Sequence, residues 1–112
     1  MNLTVLASNT RVEEKYKLLD KSLNKLIENS GYYLFTILCG QQEETEIGKK
    51  WAMNNGAPIQ YIKASSSKEL IDKLLWKSDY VVFILDGTAA INNAFMKYKS
   101  TGKHGTVIKL KR

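Results

Sequence analysis

Short apolar runs alternate with segments of helical periodicity through the whole chain, and this alternation limits the fold more than any other feature. We predict five strands over residues 3–7, 33–39, 59–62, 80–85 and 106–110, with one amphipathic helix between each pair of successive strands. Strict alternation with short loops indicates a parallel sheet, right-handed crossovers and helices on both faces. The sequence therefore predicts the α/β class with a five-stranded parallel sheet.

Polar residues and glycines mark the ends of the predicted helices. Thr10 and Glu13 have the spacing of a capping box, as do Ser66 and Glu69, and this predicts a helix start at each pair. Gly31 follows the apolar face of the first helix and is expected to end it. These signals divide the chain into short elements without a linker between them.

The chain length suits one compact domain spanning residues 1–112. Hydrophobic residues make up 44% and charged residues 25%, which is an ordinary globular balance. No apolar run reaches the roughly 18 residues that a membrane span needs. The first residues lack the basic start and long apolar stretch of a signal peptide. We therefore expect a cytoplasmic protein with no membrane partner.

Cys39 and His104 are the chain's single cysteine and single histidine, which are too few for a structural zinc site. We expect neither a metal site nor a cofactor. Cys39 ends an apolar run and is expected to be a small buried hydrophobe. A nucleophilic role for Cys39 would require a base, and His104 is expected to lie in an exposed loop instead.

The net charge of +6 belongs to the second half of the chain. Residues 1–56 hold seven basic and seven acidic residues, whereas residues 57–112 hold ten basic and four acidic ones. Such an imbalance favours an anionic partner, which can be a nucleotide, a nucleic acid or an acidic protein surface. Lys109 and the basic tail also predict that the fifth strand lies at an edge of the sheet.

Ligands of open α/β sheets bind beyond the carboxyl ends of the strands, where the strand order reverses. Strands one and four are the expected neighbours at that point. The loops at 8–11, 40–45, 64–67 and 86–89 each lead into a helix N-terminus, which favours an anion. The candidate ligand-binding residues in these loops are Ser8, Asn9, Arg11, Gly40, Gln41, Ser65, Asp86, Gly87 and Thr88.

Several of these residues have two interpretations. Gly87 allows close approach of a ligand, and the Thr88 hydroxyl can touch a phosphate, but both also suit a plain turn and helix cap. Arg11 is expected in the first turn of helix one, where a cation opposes the dipole, so its partner is either a ligand or a nearby surface acid. Asp86 can bind a ribose hydroxyl or end a strand, and Ser65 can line a polar pocket.

Three segments resemble motifs of the SLOG superfamily, most closely its YspA-like branch, over residues 3–110: LASNTR, ILCGQQEETEIGKKWAMNNGAP and SDYVVFILDGTAAINNAF. The first is similar to the turn after strand one, the second to a glycine-led loop and W-A helix, and the third to a strand entering a glycine–threonine turn. The resemblance implies a single SLOG-like, Rossmann-like domain, a nucleotide-type pocket and self-association into a homo-oligomer.

The segments also depart from the superfamily's motifs. Of the G-G-A-R-G-x-D loop only Gly40 remains, and two glutamines and two glutamates follow it. Ile91 stands where the phosphoribohydrolase branch has a glutamate that supports catalysis, and isoleucine cannot transfer protons. The resemblance therefore implies a nucleotide-binding scaffold without its catalytic residues.

Three functions follow from these observations. The first is non-catalytic binding of a nucleotide-derived small molecule, such as a cyclic oligonucleotide or an ADP-ribose derivative. Its purpose could be sequestration, as by a phage anti-defence sponge acting in the host cytoplasm. The second is a nucleotide or nucleoside N-glycosidase or transferase, which would need a carboxylate near the pocket. The candidates are Asp86, Glu43, Glu44 and Glu46. The third is a basic module for nucleic-acid or protein interaction, whose binding should weaken steeply with salt.

Overall fold

The protein is described by a computed structural model that covers residues 1–30 and 35–110. Three sequence expectations lie outside these ranges: the first two residues of the predicted second strand, Gly31 as the stop of the first helix, and the end of the basic tail.

Five strands alternate with four α-helices, as the apolar pattern predicts. In chain order the elements are β1 (Asn2–Ala7), α1 (Val12–Ser30), β2 (Thr36–Cys39), a 3-10 turn (Glu43–Thr45), α2 (Glu46–Asn55), β3 (Ile59–Tyr61), α3 (Ser67–Lys77), β4 (Tyr80–Leu85), α4 (Ala89–Lys99) and β5 (His104–Lys109).

The sheet is parallel throughout, with the strand order β3-β2-β1-β4-β5. The order reverses between β1 and β4, which pair from Leu3 with Tyr80 to Ala7 with Ile84. Their carboxyl ends therefore lie side by side, as expected. β5 is an edge strand, which confirms the prediction made from Lys109, and the more polar β3 is the opposite edge.

Helices cover both faces of the sheet, so the central strands are buried on both sides. On one face, Val5 and Ile37 belong to a core that also holds Leu19 of α1 and Trp51 of α2. On the other face the core includes side chains of β1, β2 and β4 and the apolar sides of α3 and α4, among them Leu6, Leu38, Leu70, Phe83 and Ile91. A five-stranded parallel sheet with helices on both faces is thus confirmed as a single Rossmann-like unit.

Two local predictions are corrected. The first bond of α1 runs from the Lys15 N–H to the Arg11 carbonyl, so Arg11 precedes the helix and Thr10 is not its cap. His104 is exposed as expected, but it begins β5 and does not lie in a loop. The Ser66 prediction is confirmed, because its hydroxyl accepts a hydrogen bond from the Glu69 N–H at 3.2 Å.

Among the described helices, none combines the length and the apolar character that crossing a bilayer would require.

Candidate functional site

The carboxyl ends of β1 and β4 bring Ser8 and Asp86 into contact at the point where the strand order reverses. The Ser8 hydroxyl donates a hydrogen bond of 2.5 Å to the Asp86 carboxylate. Because Ala7 and Ile84 are paired in the sheet, both loops leave the same edge together. The predicted proximity of the two loops is therefore present in the structure.

Lys15 of α1 reaches into this junction and has no exposed surface. Its ammonium group lies 2.8 Å from the Asp86 carboxylate, 2.9 Å from the Ser8 carbonyl oxygen and 2.7 Å from the Ser8 hydroxyl. The Thr10 hydroxyl is a fourth oxygen at 3.2 Å. A buried ammonium is tolerated only when it is paired and hydrogen-bonded, and both conditions are met here.

The second oxygen of the Asp86 carboxylate is also occupied. It accepts hydrogen bonds from the Thr88 N–H at 3.0 Å and from the Thr88 hydroxyl at 2.6 Å. Burial raises the pKa of Asp86, but the hydrogen bonds from Lys15, Ser8 and Thr88 outweigh burial and hold that pKa well below its usual range. Asp86 therefore stays ionised and links three segments: the loop after β1, helix α1 and the start of α4.

Lys15 is a site residue that sequence reasoning missed. The sequence contained a signal for it, because Lys15 lies three residues after Val12 and four residues before Leu19 on the apolar face of α1. A lysine on an apolar stripe must either extend to water or find a buried anion. Because Lys15 was considered only in the net charge, its pairing with a buried anion was not predicted.

Next to this ion pair, the start of α4 is open to solvent. Gly87 is exposed and has a φ of 96°, a left-handed conformation that favours glycine. Thr88 takes the N-cap position, but its hydroxyl bonds Asp86 and does not cap the helix. The first turn of α4 contains no acidic residue, whereas each of the other three described helices has at least one there. Ala89 and Ala90 are both exposed in that turn.

A groove of about 410 Å³ lies on the other side of the β1–α1 loop. Asn9 and Val12 form one wall, and α2 forms the other with both basic and apolar side chains. The residues that α2 contributes are Glu46, Ile47, Lys49, Lys50, Met53 and Asn54. Asn9 is thus shared between the groove and the loop that meets Asp86.

Arg11 is directed toward its own helix. Its Nε and Nη2 atoms donate to the two carboxylate oxygens of Glu14 at 2.8 and 2.7 Å. This bidentate pair matches the surface interpretation of Arg11. Its φ of 50° is the left-handed conformation, which places strain of roughly 1–2 kcal/mol in the loop that meets Asp86.

The other predicted residues lie beside β2 and β3 and not with Asp86. Gly40 is buried, and a Cβ there would lie 2.5 Å from the Leu70 side chain, so packing accounts for the glycine. Gln41 is exposed and lines a second groove, described below. Ser65 donates its N–H and its hydroxyl to Glu69 at 2.6 and 2.5 Å, and these bonds lower the pKa of Glu69 to about 2.

Cys39 is buried at the end of β2, which confirms its expected packing role, and burial raises the pKa of its thiol. Within residues 1–30 and 35–110, no three histidine, cysteine, aspartate or glutamate side chains gather into a group that could hold a metal ion. The groups present at the junction are the hydrogen-bonded Ser8, the Lys15–Asp86 ion pair and the N-terminus of α4.

No family model matches this chain, and the comparisons with curated proteins and with solved structures found no similar protein.

Proposed function

We propose that this protein binds a nucleotide-derived small molecule without converting it, at the junction of β1 and β4. The observation that carries the proposal is the open N-terminus of α4 beside the neutralised Asp86. The helix dipole and the N–H groups of the first turn favour a phosphate at such a position. The first turn contains no acid, although the N–H of Thr88 just before it already donates to Asp86. Gly87 lets the phosphate approach the backbone.

The Lys15–Asp86 pair makes this position compatible with an anion. A lone carboxylate three residues before the first residue of α4 would repel a phosphate, but the buried ammonium at 2.8 Å offsets its charge. The groove between Asn9 and α2, called the Asn9 groove from here on, offers adjacent space for the rest of the ligand. Lys49 and Lys50 are among its lining residues.

The proposal is for binding alone because Asp86 is unsuited to acid–base catalysis. Both of its oxygens are engaged and its pKa is held below the usual range, so at neutral pH it has no proton to donate and is a weak base. Ile91 is fully buried in the core and cannot take part. Holding a ligand in this way would lower its free concentration, which is the action of a sponge.

For an enzymatic function the carboxylate to test is Glu46, because it is the candidate that lines the Asn9 groove. N-glycosidase activity predicts slow release of a free base from a bound nucleotide, and Glu46→Gln would abolish it. No release of base from any binding nucleotide would leave binding as the function.

The first experiment is thermal unfolding against cyclic mono- and oligonucleotides and ADP-ribose derivatives, at low and high salt. A ligand present at 100 times its dissociation constant adds about 2.7 kcal/mol of stability, which shifts Tm by on the order of ten degrees for a domain of this size. A shift that persists in high salt points to a pocket, whereas a shift lost in salt points to the basic nucleic-acid or protein module.

Ala89→Glu tests the phosphate position directly. An acid in the first turn of α4 should leave the free protein as stable as before or slightly more stable, because it complements the dipole. It should also remove most of the ligand-induced shift, because it repels the phosphate. Ala89→Gln is the matched control and should retain that shift. Equal ligand shifts in both variants would contradict binding at α4.

A further inference from the structure

Tyr61 ends β3 with its ring turned to a second groove at the carboxyl edge of the sheet. The residue is 55% exposed, so much of its aromatic surface is open to solvent. The Lys49 ammonium lies 5.2 Å from the ring centroid, a cation–π distance. Lys49 also lines the Asn9 groove, so this lysine stands between the two grooves.

The second groove has the size and the polar groups of a small-ligand site. Its volume is about 380 Å³, within the range of ligand pockets. Gln41, Gln42 and Lys63 contribute polar groups, and Ile62 and Ala64 contribute apolar surface. Among the described residues that line the groove, none is acidic.

These groups suit a nucleobase better than a phosphate. An aromatic ring offers a stacking surface to any base, and the two glutamine amides carry both donors and acceptors for a base edge. By contrast, the described part of the groove includes no α-helix N-terminus, because its lining residues lie after β2 and at the end of β3. The groove therefore offers groups that suit a base, whereas the N-terminus of α4 suits a phosphate.

We propose that the groove beside Tyr61 binds a nucleobase, with the base stacked on the Tyr61 ring and its edge contacted by Gln41 and Gln42. This inference rests on the proposed function for the ligand class and extends it to a second subsite. β3 lies three strand spacings from β4, which is about 14 Å. A ligand held at both positions must be elongated, so a dinucleotide or an ADP-ribose derivative fits better than a mononucleotide.

The test uses adenosine, guanosine, cytidine and uridine, which lack phosphate and so probe base binding without a contribution from the α4 N-terminus. Amide chemical shifts of the ¹⁵N-labelled full chain report where each nucleoside binds. At millimolar concentration, at least one nucleoside should move the amide signals of Gln41, Tyr61 and Lys63. No change at these amides with any of the four nucleosides overturns the inference.

Two variants make the test specific. Tyr61→Ala should weaken binding of that nucleoside by at least about fivefold, as expected for loss of a stacking contact. Tyr61→Phe keeps the ring and should bind within about twofold of the unchanged protein. Because Tyr61 is mostly exposed, both variants should fold. Binding that is equal in the two variants overturns stacking on Tyr61.

The two proposals can fail separately. If a nucleoside binds at Tyr61 but Ala89→Glu leaves ADP-ribose affinity unchanged, the phosphate position is wrong and the base subsite stands. If Ala89→Glu abolishes binding of a nucleotide that never perturbs the Tyr61 amide, the base subsite is wrong and the phosphate position stands.

Discussion

At the scale of single residues, Lys15 carries the strongest energetic consequence. Its ammonium and the Asp86 carboxylate have side-chain exposures of 0% and 10%, so water compensates neither charge well. Removing one partner of such a pair leaves the other as an uncompensated buried charge, which typically costs about 3–5 kcal/mol. An exposed pair contributes far less.

We therefore predict that Lys15→Met lowers the free energy of unfolding by about 3 kcal/mol or more, measured by urea denaturation at neutral pH. Lys21→Met, at an exposed position of the same helix, is the control and should change it by less than about 0.5 kcal/mol. The double variant Lys15→Met, Asp86→Asn should lose less than the sum of its single changes, because the buried anion is gone. Strict additivity would argue that the pair is not coupled.

The residues of the site were partly predictable. Ser8 and Asp86 follow the last residues of two apolar runs, so their meeting at one edge follows from parallel strands and the strand order. Lys15, which contacts both of them, was not predicted, because a lysine side chain is normally expected to be exposed. The left-handed φ of Arg11 has no sequence signal either, since glycine or asparagine would be expected there.

At the scale of elements, close contact between α2 and β1 depends on Gly48. A Cβ at this position would lie 2.8 Å from the Val5 Cβ, and Val5 is a buried residue of the central strand that cannot move aside. The glycine therefore lets α2 approach the sheet closely at this position. Glycine in a helix interior has an intrinsic disadvantage of about 1 kcal/mol relative to alanine.

We predict that Gly48→Ala destabilises the protein by about 1–3 kcal/mol, because overpacking outweighs the gain in helix propensity. Asn24→Ala, at an exposed position of α1, should have the opposite effect and raise the free energy of unfolding by a few tenths of a kcal/mol, about the difference in helix propensity. Thermal or urea unfolding of both variants measures the comparison. A Gly48→Ala protein more stable than the parent would show that α2 can shift on the sheet.

Element boundaries show where sequence patterns stop being informative. β4 has the bounds predicted from its apolar run, because both ends are marked by a change to polar residues. The start of α1 differs because Thr10 has the right spacing for a cap, but its hydroxyl bonds Ser8 and Asp86 and contacts Lys15. A tertiary contact thus overrides a local signal, and only the fold can reveal it.

At the scale of the whole molecule, polar contacts beside the β1–β4 pair connect the first half of the chain with the second. Lys15 and Asp86 are 71 residues apart in sequence, and the buried hydroxyls of Thr4 and Ser78, which lie 2.6 Å apart, are separated by 74. These contacts form only when β1 and β4 are paired, so they favour a cooperative transition. In a cooperative transition, the ionisation of a single carboxylate changes the free energy of unfolding of the whole domain.

Acid should destabilise the protein through the groups whose pKa values are lowered on folding. Hydrogen bonds from Ser65, followed by the contact with Lys73, lower the pKa of Glu69 from 4.5 to about 2. The contribution of ionised Glu69 to the free energy of unfolding is complete above pH 4.5, where Glu69 is ionised in the unfolded chain as well. This contribution is lost as the pH falls from 4.5 to about 2. The lowered pKa of Asp86 acts in the same direction, beginning below 3.8.

Glu69→Gln isolates one of these groups, because glutamine does not titrate. The difference in unfolding free energy between the parent and Glu69→Gln should be largest above pH 4.5 and should shrink steadily toward pH 2. Ser65→Ala removes the hydroxyl that bonds Glu69 but keeps the backbone N–H, so it should weaken the pH dependence without abolishing it. Urea denaturation at pH 6, 4 and 3 measures all three proteins. A difference that stays constant over this range would mean that Glu69 has the same pKa in the folded and unfolded chain.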